Sequence, residues 1–103
     1  MSNKLTKIYS PNFSLPKRSK NKVKFIIIHY TGMRNESDAI KRLCNEKNKV
    51  SAHYFIKKNG DLINLVPHFY EAWHAGKSSW KTIKFLNKNS IGIEIQNQGH
   101  EHK

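Results

Sequence analysis

The chain has 103 residues, enough for one small domain and too few for two. Its formal net charge of +12 and its pI near 10.0 favour acidic partners, but sixteen of the nineteen basic residues are lysines, with only Arg18, Arg34 and Arg42 as arginines. Base reading and bidentate phosphate contacts favour arginine, so the charge reads as a compositional habit more than as a nucleic-acid surface. Cys44 is the single cysteine, which excludes an intramolecular disulfide and a cysteine-rich metal site.

Residues 1–22 carry Pro11, Pro16 and many Lys, Ser and Asn, and read as an extended basic lead-in with Tyr9 and Phe13 pinned to the body. Residues 23–103 form the folded unit. The longest aliphatic or aromatic run, Phe25–Ile28, is too short for a signal peptide or a membrane span. The expectation is a cytoplasmic protein with no membrane partner.

Lys24 to Tyr30 predicts a strand covered on both faces, because its apolar residues are continuous. Alternation sets Phe25, Ile27 and His29 on one face and Ile26, Ile28 and Tyr30 on the other. A helix is predicted from Ser37 to about Lys47, capped by Ser37 or Asn35, with Ile40, Leu43 and Cys44 on its apolar stripe. The run His53–Ile56, then Asn59-Gly60, then Asp61–Val66 predicts a hairpin with a two-residue type I′ turn. Residues 68–89 read as irregular. A last strand is predicted from Ser90 to Gln96, with Ile91, Ile93 and Ile95 facing one way and Gly92, Glu94 and Gln96 the other. The sum is an α/β arrangement, a mixed central β-sheet with one flanking helix. One helix cannot cover both faces of such a sheet, so one face is left exposed or its cover is absent.

Two residues stand out for chemistry. His29 closes an apolar strand just before Gly32, a position from which ligands are often displayed; a satisfied core histidine fits equally well. Glu94 is the one acid inside an apolar strand, and a buried carboxylate must be paired or neutralised, which raises its pKa and suits a general base. An ion pair with a lysine is the plainer alternative. His53, His68 and His74 add imidazoles without a local ligand spacing, and His100 and His102 form a terminal His-x-His. Tyr70, Trp73 and Trp80 suit either a platform for a sugar or peptide or plugs under a loop.

Five blocks, in order, resemble one family: Phe25–Met33, Val50–Ile56, Asn59-Gly60, Ala72–Gly76 and Asn89–Ile95, preceded by Ser10-Pro11-Asn12-Phe13. They are similar to the N-acetylmuramoyl-L-alanine amidases of the type-2 superfamily, and the resemblance covers roughly residues 10–102. It implies a mixed sheet with flanking helices and a catalytic Zn2+ at one end of the sheet. It implies hydrolysis of the amide between N-acetylmuramic acid and L-alanine in bacterial peptidoglycan, a cell-wall-degrading activity with peptidoglycan or muropeptides as partners. His29 matches the family's first zinc ligand and Glu94 its water-activating acid. His53, Trp73, His74 and Asn89 match motif positions along the substrate cleft. The family continues past the Glu-bearing strand through a helix to a second histidine and an Asp or Cys, whereas this sequence ends at Gly99-His100-Glu101-His102-Lys103. The expectation is therefore a C-terminally truncated amidase domain, lacking its last helices and two of three zinc ligands. It would be inactive alone or completed by a second chain. A non-catalytic muropeptide-binding module is the second reading, and a basic nucleic-acid-binding protein ranks well behind it.

Overall fold

The computed structural model describes residues 4–75, 79–80, 83–84 and 86–97. Three strands open the chain: β1 (Leu5–Lys7), β2 (Phe13–Ser14) and β3 (Phe25–Tyr30). Helix α1 (Glu36–Cys44) follows, then β4 (Tyr54–Ile56), β5 (Leu62–Asn64) and β6 (Glu71–Ala72). Beyond it lie β7 (Ser79–Trp80), β8 (Ile83–Lys84) and β9 (Ser90–Ile95). The main sheet has the order β1-β5-β4-β9-β3. It is mixed: β4 and β5 are antiparallel, whereas β1–β5, β4–β9 and β3–β9 are parallel. The α/β reading from sequence matches this sheet and its single described α-helix.

Helix α1 starts where Asn35 caps it, its Oδ1 accepting the Asp38 N–H at 2.9 Å. Of the two caps open in the sequence, Asn35 serves. The helix stops at Cys44, three residues before the end expected at about Lys47, because Asn45 Oδ1 takes the Lys47 N–H at 2.9 Å and starts a 3-10 turn over Glu46–Asn48. Glu36 ties the helix start to the hairpin tip, accepting the Lys58 N–H at 2.6 Å.

The hairpin tip corrects the expected type I′ turn. Only Gly60 has positive φ, 92°, where a type I′ turn needs positive φ at Asn59 as well. Lys57 N–H donates to Asp61 O and Gly60 N–H to Lys57 O, both at 2.9 Å, so Lys58–Gly60 form a three-residue loop. Asn59 Oδ1 accepts the Asp61 N–H at 2.9 Å, and that side-chain grip fixes the longer turn.

The core lies between the sheet and α1: Ala39, Leu43, Phe55, Ile63 and Leu65 are buried, with Met33, Ile40, Val50 and the free Cys44 packed against them. The other sheet face is open, which corrects the two-sided burial expected for β3: Ile26, Ile28 and Tyr30 are 65%, 55% and 63% exposed. Register sets Ile91, Ile93 and Ile95 of β9 beside them on that face.

The lead-in is more tightly joined than its composition suggests. Leu5–Lys7 pair with β5, and Ser10 and Asn12 are buried. Asn12 Nδ2 donates to Asn45 O (2.9 Å) and Val50 O (2.8 Å), and Ser51 Oγ donates to Asn12 O. Phe13 packs edge-on to Tyr70, but Tyr9, expected to be pinned, is 61% exposed. The stretch read as irregular holds β6, β7, β8 and a 3-10 turn at Leu86–Asn89. No described helix is long and apolar enough to cross a membrane.

Candidate active site

Strand register brings the two sequence candidates together. His29 lies opposite Glu94 between β3 and β9, and Phe55 of β4 lies opposite Glu94 on the other side. Glu94 is thus on a central strand, on the face that carries the core. Burial raises its pKa, partly offset by the positive charge of Arg42. Burial lowers the pKa of His29.

Beneath this pair the other imidazoles stack down β9. The His74 ring centroid is 5.2 Å from that of His29 and 6.0 Å from that of His53. His29 Nε2 and His74 Nδ1 are 3.0 Å apart, and His74 Nε2 is 2.9 Å from Ser90 Oγ. The ring lies directly on Gly92: a Cβ there would sit 2.3 Å from His74 Cγ. Glycine is required for this close approach, whatever its backbone angles. Asn87 holds the His74 loop, its Oδ1 accepting the N–H groups of His74 (3.0 Å) and Ala75 (2.7 Å).

His53 is wholly buried and bonded at both nitrogens, and it supports the site from below. Its Nδ1 accepts the Gly92 N–H at 3.0 Å, which places the ring proton on Nε2, donated to Tyr70 O at 2.7 Å. Burial drives its pKa to about 4 and that of His74 to about 3, so both rings are neutral at pH 7. Arg18 Nη2 lies 3.2 Å from the same His53 nitrogen, which has already committed its proton to Tyr70. The guanidinium donates instead to His68 O (2.9 Å from Nη2) and Asn87 O (2.8 Å from Nη1).

The remaining sequence candidates lie elsewhere. Trp73 Nε1 donates to Ser14 Oγ at 2.7 Å, and the Trp73 N–H donates to Ser51 Oγ at 2.9 Å, which ties the ring toward β2. Asn89 sits at the opposite end of β9 from Glu94, its Nδ2 donating to Lys22 O at 3.1 Å and its own carbonyl accepting the Lys24 N–H at 2.7 Å. Tyr54 Oη and His68 Nδ1 are 3.0 Å apart, and Arg18 Nη2 lies between His68 O and the His53 ring. The Trp80 side chain, His100 and His102 lie outside the described residues. Sequence reasoning passed over Arg18, Asn87 and Ser90. Ser90 alone had a signal, because alternation sets it on the same face of β9 as Gly92 and Glu94.

These residues place the chain in a family. Residues 19–103 match the family model described as N-acetylmuramoyl-L-alanine amidase, and the chain belongs to that family. It is 38% identical over 85 residues to N-acetylmuramoyl-L-alanine amidase AmiD of Escherichia coli (strain K12), covering 76% of this chain and 30% of that protein. It is 44% identical over 48 residues to 1,6-anhydro-N-acetylmuramyl-L-alanine amidase AmpD of Citrobacter freundii, covering 47% of this chain and 26% of that protein. Among solved structures it resembles the E. coli AmiD complex with anhydro-N-acetylmuramic acid-L-Ala-D-gamma-Glu-L-Lys. There the TM-score is 0.68 and the identity 33%, over 84% of this chain and 35% of that one. The chain thus spans about a third or less of the curated relatives it matches.

The described donors fit a metal in part. No group of three His, Cys, Asp or Glu able to hold an ion occurs among the described residues. His29 has one nitrogen engaged by His74, which leaves the other for a ligand.

Proposed function

We propose that this chain carries the substrate-facing part of a zinc-dependent N-acetylmuramoyl-L-alanine amidase. The bond cleaved is the amide between the lactyl group of N-acetylmuramic acid and L-alanine. The observation that carries this reading is Glu94, a mostly buried carboxylate on an apolar central strand, opposite His29 in the register. The substrate in the solved AmiD complex, anhydro-N-acetylmuramic acid-L-Ala-D-gamma-Glu-L-Lys, supports the same substrate class here.

Zinc at such a site supplies a bound water of lowered pKa and polarises the scissile carbonyl. Among the described residues His29 is the donor offered, and the rest of the donor set lies outside them. Glu94 accepts the attacking water's proton and returns it to the leaving amine nitrogen. Its raised pKa brings it nearer the operating pH than an exposed glutamate, as a base that must also act as an acid requires. His74 and His53 stay neutral under His29 and hold the floor of the site. To Trp73, fixed by Ser14 and Ser51, we assign contact with the glycan-peptide.

The absence of a three-donor group among the described residues keeps one rival, a muropeptide-binding module without catalysis. Zinc content measured by mass spectrometry after reconstitution, beside a His29→Ala control, separates them. The amidase reading expects zinc that depends on His29. Muropeptide binding that is the same with and without chelator, together with no His29-dependent zinc, would favour the binding module.

A further inference from the structure

The hydrogen bonds under His29 have a direction, and the direction is fixed at their far end. Leu86 O can only accept, and Ser90 Oγ lies 2.6 Å from it, so the single hydroxyl proton of Ser90 is spent there. Ser90 Oγ must then accept across its 2.9 Å contact with His74 Nε2, which puts the His74 ring proton on Nε2. The buried His74 ring bonds His29 and Ser90, neither of them an acid that would hold a second ring proton, so with its one proton on Nε2 its Nδ1 is a bare lone pair. Across the 3.0 Å contact, His29 Nε2 must be the donor. The chain of protons reads His29 Nε2–H to His74 Nδ1, His74 Nε2–H to Ser90 Oγ, Ser90 O–H to Leu86 O.

We propose that His74, backed by Ser90, is a positioning residue that locks His29 in the Nε2–H tautomer and leaves Nδ1 as its only lone pair for a ligand. The relay rests on the reading of His29 as a donor, but its geometry is independent of any ligand. A plain packing role would not require both His74 nitrogens to be bonded in this order. Gly92 belongs to the same device, because only a residue without Cβ lets the ring lie where both bonds are made. A partner that fixes the free nitrogen of a metal-binding histidine typically changes metal affinity about 10–100-fold when removed.

The test is nuclear magnetic resonance on the full, metal-free chain with 15N-labelled histidines. The expected result is a proton on His29 Nε2, a bare Nδ1, and a scalar coupling across the hydrogen bond from His29 Nε2 to His74 Nδ1. In Ser90→Ala the His74 ring loses its fixed tautomer and the coupling falls or disappears, which a structural contact alone would not cause. A proton on His29 Nδ1, no coupling in the folded wild-type chain, or a coupling unchanged in Ser90→Ala overturns the proposal. Because no metal or substrate is present, the two readings fail separately. An intact coupling in a chain that cleaves nothing sinks only the amidase reading, and a reversed tautomer in an active chain sinks only the relay.

Discussion

Replacing Gly92 with alanine tests the tight stacking of His74 on β9. The added Cβ would lie 2.3, 2.5 and 2.6 Å from His74 Cγ, Cδ2 and Nδ1, far inside van der Waals contact. The ring cannot swing aside freely. His29 and Ser90 hold its two nitrogens, and Asn87 holds its backbone. Overpacking a well-filled site costs about 1–3 kcal/mol, and each of the two ring hydrogen bonds lost adds about 1 kcal/mol, giving about 3–5 kcal/mol in all. For a domain of this size each kcal/mol lowers Tm by about 4–8 °C, so the melting point should fall by at least about 12 °C. Urea denaturation of Gly92→Ala, His74→Ala and the double variant forms a cycle. Once the ring is gone the methyl group occupies vacated space, and the double variant should be no less stable than His74→Ala alone. A Gly92→Ala variant within about 0.5 kcal/mol of wild type, or a cycle additive within that margin, would refute the packing argument.

Acid should weaken the fold early. The folded pKa values of His53 and His74, about 4 and about 3, lie below the ordinary 6.5, so their contribution is complete above pH 6.5 and is lost as pH falls toward those values. Each pKa unit is worth about 1.4 kcal/mol, so the pair removes about 3–4 kcal/mol between pH 7 and pH 5. Glu94, with its pKa raised by burial, acts in the opposite sense, favouring the fold at lower pH. Urea midpoints that rise or stay level from pH 7 to pH 5 would contradict the balance. Arg18→Met should cost about 2–3 kcal/mol in the same assay, because the charged donors to His68 O and Asn87 O are lost and the carbonyls are left unsatisfied; an unchanged midpoint would rule this out. Ile28→Lys, on the exposed sheet face, should stay within about 0.5 kcal/mol, and a larger loss would show that this face is packed in solution.

The strands were legible in the sequence where a period of two was clean, as in β9, or where an apolar run was short and bounded, as in β3. Ser90–Ile95 and Phe25–Tyr30 came out within a residue of their ends, and alternation grouped His29 with Phe25 and Ile27 and Glu94 with Gly92 and Gln96, but only the register showed that the two groups share a face. Burial was not legible, because an apolar run such as Ile26-Ile27-Ile28 looks the same whether one face or both are covered; what covers a strand lies in other parts of the chain. The helix end and the hairpin tip were misread for a shared reason. At Asn45 and Asn59 a short polar side chain takes a backbone N–H two residues on, and that local bond overrides a periodicity or a dipeptide rule. The imidazole stack was invisible because His53, His74 and His29 come from three separate segments. Only Gly92, the residue that makes room for them, marks the spot in the sequence.

The most direct measurement is mass spectrometry of a defined N-acetylmuramoyl-L-alanyl peptide incubated with the zinc-reconstituted protein, beside the Glu94→Gln variant. The expected products are free N-acetylmuramic acid and an intact peptide with a new N-terminal L-alanine, with a loss of at least about 100-fold when Glu94 can no longer carry the proton. Cleavage at any other bond, or a Glu94→Gln variant as fast as wild type, would contradict it.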